Sequence, residues 1–207
     1  LAGKMKKLNE DNIRERVLTE GEFEQLLEFL SSPLREMTLI AFYLGMRQRE
    51  IIQLSWDQVD LNRNIIRISG ENTKTGFKRR IPIHPIVRSM LNHLPRGLHT
   101  NRIFLSRGEP VQNFSGNYKR QWDKAVIMAG LGDFTFHDLR HCAINNLRLA
   151  GNDHFTIMTI SGHRTNSVFK RYNVVTDEEL QDVKWKSDTY QGGRIGGQQP
   201  RKIRETG

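Results

Sequence analysis

Apolar residues fall at Phe23, Leu26, Leu27 and Leu30, three and four positions apart, the repeat of one face of an α-helix. Thr19-Glu20-Gly21-Glu22 supplies its start: a Thr cap with a Glu three residues on can exchange hydrogen bonds with the first backbone N–H groups. Pro33 opens a second helix, with Met37, Ile40, Ala41 and Leu44 as its buried stripe. Gly45 interrupts that helix, and a short third one is predicted over residues 47–54. The period then changes. Residues 64–69 (NIIRIS) and 79–83 (RRIPI) are β-branched runs separated by the turn-rich GENTKTG at 70–76. This predicts a small antiparallel hairpin. Pro82 has no N–H to give a ladder, which places the second strand at an edge. Helical spacing returns near residues 84–94, 115–130, 136–150, 153–161 and 165–173, with a further helix over 176–187. Beyond Tyr190 the chain turns to Gly, Gln and Arg, the composition of a disordered tail. The predicted class is mainly α with a small antiparallel β-sheet (α+β).

Composition narrows this picture only in places. With 207 residues the chain can bury one good-sized core. Lys and Arg outnumber Asp and Glu by 32 to 23, a formal charge of +9 that favours a polyanionic partner, nucleic acid being the commonest. Charge alone leaves a merely basic soluble protein as good a reading. Cys142 is the only cysteine, which excludes an internal disulfide and a cysteine-based zinc site and suits a reducing cytosol. No apolar run approaches the roughly 20 residues needed to span a bilayer. The opening Leu1-Ala2-Gly3-Lys4 has no Met and no apolar leader, and reads as a fragment boundary behind a missing upstream domain.

Four segments set chemically capable side chains beside good apolar patterns. In Gly45-Met46-Arg47-Gln48-Arg49-Glu50, Arg47 and Glu50 are three apart and share a helix face. Taken alone, a surface ion pair is the commoner reason for such a spacing. In Phe136-His137-Asp138-Leu139-Arg140-His141, the residues His137, Arg140 and His141 share one face, with Leu139, Ala143, Ile144 and Leu147 on the buried one. An imidazole beside a planar guanidinium fork on a rigid helix suits a phosphate, although a plainly basic solvent face gives the same pattern. In Ile160-Ser161-Gly162-His163, Gly162 ends a helix and is expected to leave His163 exposed. Nine residues on stands Tyr172, next to Lys170 and Arg171, whose charges would favour a phenolate as it attacks. A lone tyrosine near a helix end is more often packing. Lys74, at the hairpin tip, is ordinarily just solvated but can donate a proton to a strand lying in reach.

In this order and spacing the segments resemble the tyrosine recombinases, also called phage integrases. The resemblance runs from about Thr19 to Val175, most of the chain. That family carries a Gly-x-Arg-x-x-Glu helix followed by Leu-x-Trp, here Gly45, Arg47, Glu50, Leu54 and Trp56. Its hairpin lysine matches Lys74, its His-x-x-Arg helix matches His137 and Arg140, and its Gly-His followed by Arg-Tyr matches Gly162-His163 and Arg171-Tyr172. The family's usual N-terminal helical domain has no counterpart in residues 1–18. The resemblance implies the tyrosine-recombinase catalytic-domain fold and four segments: a linker remnant over 1–18, a catalytic domain over 19–175, a helix within 176–190 docking on a neighbouring subunit, and a tail over 191–207.

It also implies a mechanism. Tyr172 attacks a backbone phosphorus and forms a 3′-phosphotyrosyl link. Arg47, Arg140 and His163 hold the phosphate oxygens, His137 takes the tyrosine proton, and Lys74 protonates the leaving 5′-oxygen. Glu50 orients Arg47, with Asp138 and His141 as further supporting residues. The resemblance implies no metal and no other cofactor. It implies double-stranded DNA as partner, a homotetramer on DNA with a monomer free of it, accessory DNA-bending proteins, no membrane, and a bacterial or phage-encoded protein of the cytoplasm and nucleoid. Three rivals stay open: a type IB topoisomerase-like enzyme that relaxes DNA alone, a DNA-binding module that no longer cuts, and a structural, basic scaffold domain whose DNA binding does not depend on His137 or Arg140.

Overall fold

The computed structural model describes residues 16–69 and 78–163. The order is α1 (Glu20–Glu28), α2 (Leu34–Leu44), α3 (Gln48–Ile52), a 3₁₀ turn (Trp56–Gln58), β1 (Val59–Asp60), β2 (Ile65–Ile68), β3 (Arg79–Pro82), α4 (Pro85–His93), β4 (Leu105–Ser106), β5 (Glu109–Pro110), α5 (Asn117–Met128), α6 (Asp138–Leu149) and α7 (His154–Ser161). Helices dominate, and the sheets are small and antiparallel.

Local chemistry explains where the first helices start and stop. The Thr19 hydroxyl accepts from the Glu22 N–H at 3.2 Å while the Glu22 carboxylate accepts from the Thr19 N–H at 2.9 Å, a reciprocal cap. The α1 stripe of Phe23, Leu26 and Leu27 is buried, and Phe23 stacks on Phe42 of α2 with ring centroids 3.6 Å apart. Helix α2 stops at Gly45, whose φ of +62° is left-handed. A Cβ added there would lie 3.2 Å from the Ala143 Cβ, so this turn also lets α2 approach α6 closely.

The expected hairpin is two strands of a three-stranded sheet in the order β1-β2-β3, with Ile66 opposite Ile81. β3 is an edge strand and carries Pro82, as the missing N–H requires. β1 and the β4-β5 ribbon have no counterpart among the elements that the hydrophobic pattern predicts. Each of these strands has only two residues, too short for a period-two pattern to register. The ribbon turns at Arg107 and Gly108, both at positive φ (54° and 86°), the requirement of a tight hairpin.

One apolar core gathers residues from every helix and from β2 and β3. It also takes Leu18, with Val17 packed against it, while the Arg16 guanidinium donates to the Leu131 carbonyl at 2.6 Å. The last residues of the stretch expected as linker are therefore packed. The expected hairpin tip with Lys74, the helix over 165–173 with Tyr172, the helix over 176–187 and the tail over 191–207 lie outside the described residues. Among the described residues no helix is long and apolar enough to cross a membrane.

Candidate active site

Three arginines distant in sequence meet at one helix end. Helix α7 is capped at its start by Asp153, whose carboxylate accepts from the Thr156 N–H at 3.0 Å, and at its end by Gly162 in the left-handed region (φ +71°). The last carbonyls of any helix lack intrahelical partners and carry the negative end of its dipole. Here the carbonyls of Ile160, Ser161 and Gly162 each meet a guanidinium. Arg79 donates from Nε to the Ile160 carbonyl at 3.0 Å, Arg140 from Nη2 to the Ser161 carbonyl at 2.6 Å, and Arg47 from Nη2 to the Gly162 carbonyl at 3.1 Å. Arg140 also donates from Nη1 to the Gly45 carbonyl at the end of α2. Two helix C-termini thus fix one guanidinium plane.

Arg47 stands at the N-terminus of α3. Glu50 lies one turn on, and its Oε2 accepts from the Arg47 backbone N–H at 2.9 Å while Oε1 accepts from the Arg47 Nη1 at 3.2 Å. The carboxylate expected to orient Arg47 does touch it, but its main partner is Arg79. That guanidinium meets Oε1 at 2.9 Å and Oε2 at 2.5 Å in a two-pronged bond. The Arg79 and Glu50 side chains are only 2% and 4% exposed, whereas that of Arg47 is 33% exposed. Burial by itself would push Glu50 up. The Arg79 hydrogen bonds and charge, the Arg47 N–H and the Arg47 charge outweigh it and hold the carboxyl below its usual range.

The turn into α6 is pinned by Asp138. Its Oδ2 accepts from the Thr135 N–H at 2.7 Å and the Thr135 hydroxyl at 2.8 Å, so this residue fixes the backbone that carries His137. His137 keeps solvent exposure and faces His141 edge-on, ring centroids 5.3 Å apart. Partial removal from water, then the charges of Arg140 and Arg47, hold His137 below the usual imidazole range. Helical spacing set His137, Arg140 and His141 on one polar face, yet Arg140 is only 2% exposed. The ends of α2 and α7 pack over that side of α6 and take the guanidinium in.

His163 was expected to be exposed past the end of α7; it is half-buried. Its Nε2 lies 3.0 Å from the Arg140 Nη2 and its Nδ1 lies 3.0 Å from the Ser161 hydroxyl. Arginine can only donate, so Nε2 accepts and the ring proton sits on Nδ1, donated to Ser161. Burial first, then the charges of Arg140 and Arg47, pull His163 down to about 3, so the ring is neutral at pH 7.

The described site therefore brings together Arg47, Glu50, His137, Arg140, His141 and His163, with Asp138 beneath the His137 turn. Lys74 and Tyr172 lie outside the described residues. Two participants escaped the sequence reading. Arg79 had a usable signal: in RRIPI it alternates with Ile81 and Ile83, both buried, so its side chain points inward with them. Ser161 had none, because its hydroxyl matters only through the ring it faces. Among the described residues no group of three or more His, Cys, Asp or Glu side chains is placed to hold a metal ion.

This geometry can be set beside known proteins. The description "Phage integrase family" matches residues 16–179 of this chain. The chain belongs to the phage integrase family. The shufflon-specific DNA recombinase of Escherichia coli is 31% identical over 164 residues, covering 77% of this chain and 40% of the relative. The catalytic domain of bacteriophage HP1 integrase shares the fold with a TM-score of 0.61 at 23% identity, covering 80% of this chain and 90% of that one. The Tn1549 transposon integrase in complex with circular intermediate DNA gives a TM-score of 0.67 at 20% identity, covering 84% of this chain and 67% of that one. This phage integrase family chain spans about half the length of the curated relatives it matches. The family match extends over Lys74 and Tyr172 as well as the described site residues.

Proposed function

We propose that this chain is the catalytic part of a site-specific DNA recombinase that cleaves and rejoins DNA through a 3′-phosphotyrosyl intermediate. One observation carries the reading: Arg47, Arg140 and His163, the three groups assigned to the phosphate, converge at the end of α7 although Arg47 and Gly162 are 115 residues apart. The family membership and the fold shared with integrases support it.

In this reading the phenol oxygen of Tyr172 attacks a backbone phosphorus. The new P–O bond joins tyrosine to the 3′ side, and the P–O5′ bond breaks. His137, neutral at pH 7, takes the tyrosine proton, and Lys74 gives one to the departing 5′-oxygen. Arg47 and Arg140 hold the non-bridging oxygens, whose charge grows in the transition state. In the described state His163 accepts from Arg140, so it can donate to the phosphate only after gaining a proton at Nε2. An arriving phosphate charge favours that protonation. A 5′-hydroxyl from a second duplex then reverses the sequence. The phosphodiester energy is kept in the tyrosyl link, so rejoining needs no ATP. Double-stranded DNA is the partner. A tetramer, docking through residues 176–190, accessory DNA-bending proteins, and the bacterial or phage cytoplasm as the setting complete the proposal.

The test uses nicked duplexes tiled across the DNA that flanks the coding sequence of this chain. A protein–DNA adduct that survives denaturant is expected in EDTA, and its loss is expected in Tyr172→Phe. An adduct that persists in Tyr172→Phe assigns the wrong nucleophile, and no adduct from the unaltered chain on any duplex overturns the reading.

A further inference from the structure

We infer that Arg79 is a positioning residue for strand cleavage, acting through Arg47 and His163 and never on DNA itself. The inference rests on the recombinase reading above and extends it to a side chain outside the phosphate-binding set. Arg79 is 5% exposed, which keeps it from any duplex. Its donors are committed on two sides. Nη1 and Nη2 hold both oxygens of Glu50, and Nε holds the Ile160 carbonyl.

Each of those partners leads directly to a phosphate-binding group. The Glu50 carboxylate held by Arg79 is the one that receives the Arg47 guanidinium and backbone N–H. The Ile160 carbonyl lies three residues before His163, and the intervening Gly162 packs on the Arg79 guanidinium. A Cβ at Gly162 would meet the Arg79 Cδ at 3.1 Å and its Cζ and Nε at 3.2 Å. Arg47 itself donates to the Gly162 carbonyl. One buried guanidinium therefore joins α3, β3 and the end of α7 and sets the spacing between Arg47 and His163. Only arginine meets all three demands at once. Lysine can reach the carboxylate but has no planar fork and no Nε donor for the carbonyl.

The experiment uses the full chain on the nicked duplex found to trap the unaltered protein, measuring DNA affinity by anisotropy and the single-turnover rate of adduct formation at saturating DNA. Arg79→Met is expected to slow adduct formation roughly 10- to 100-fold, by analogy with the loss of partners that orient metal-binding side chains, with the DNA Kd unchanged. Arg79→Lys is expected to recover part of the rate. In an Arg47→Lys background, Arg79→Met should add less than about threefold, because residues that act as one unit are not additive. If Arg79→Met fails to fold, Glu50→Gln combined with Arg79→Met removes the stranded charge and should show the same slow cleavage with normal DNA affinity. Wild-type rates in these variants, a loss confined to DNA affinity, or full multiplication of the two effects would each overturn the inference. An unaltered chain that forms no adduct overturns the recombinase reading first and this inference with it.

Discussion

Two arginines of the same small sheet pair with carboxylates, and the pairs differ in almost everything except distance. Arg79 of β3 meets Glu50 at 2.5 Å, and Arg67 of β2 meets Asp60 at 2.6 Å. The first pair is 2% and 4% exposed and shares its carboxylate with Arg47; the second is 46% and 21% exposed and shares its carboxylate with Arg63. On the open pair, solvent and salt compete with the attraction, and two long side chains lose freedom to hold it. On the closed pair, the same attraction acts with little screening, and each partner would be stranded without the other. Contact length is therefore a poor guide to what a charged pair does. Depth and the number of elements it joins decide.

Breaking each pair from the acidic side tests that contrast. Glu50→Ala leaves Arg79 charged and buried, and should lower the unfolding free energy by about 3–5 kcal/mol in urea titrations followed by circular dichroism. Gly162→Ala keeps the pair but forces a side chain into the left-handed region and against the Arg79 guanidinium, for a loss of roughly 1–2 kcal/mol in the same titration. A smaller effect should appear on acidification. His163 binds a proton more readily unfolded than folded, so its neutral form contributes stability that is present above the ordinary imidazole range and falls as pH drops from about 6.5 towards 3. Glu50, whose carboxyl is held low, adds to the loss only once pH falls below its ordinary range. Melting temperatures between pH 7 and pH 5 should fall less steeply in His163→Gln than in the unaltered chain. Asp60→Ala should change the urea midpoint least of all. A loss equal to that of Glu50→Ala would refute the distinction between the pairs.

Much of the architecture was legible because it is written in short spacings. The Thr19–Glu22 cap, the stripes of α1 and α2, the stop at Gly45 and the edge position of Pro82 each depend on residues within one or two turns of each other. Strands of two residues carry no period, so β1 and the β4-β5 ribbon left no trace. The same division runs through the site. The spacing of His137, Arg140 and His141 placed them on one helix side, but whether that side faces water or protein depends on α2 and α7. Glu50 reads as the partner of Arg47 because Arg47 is three residues away; its stronger partner, Arg79, is 29 residues away on another element.

By itself, then, the chain's sequence determined the order of the described helices and of β2 and β3, and the caps that bound them, since these follow from angles within a helix or a strand. Tertiary structure alone decided that Arg140 would be buried, that three arginines would cap one helix end, and that His163 would hold its proton on Nδ1. The physical reason is range: a helix repeat relates neighbours a few ångströms apart, while a guanidinium finds its carbonyl only after segments 21, 81 and 115 residues distant have packed together.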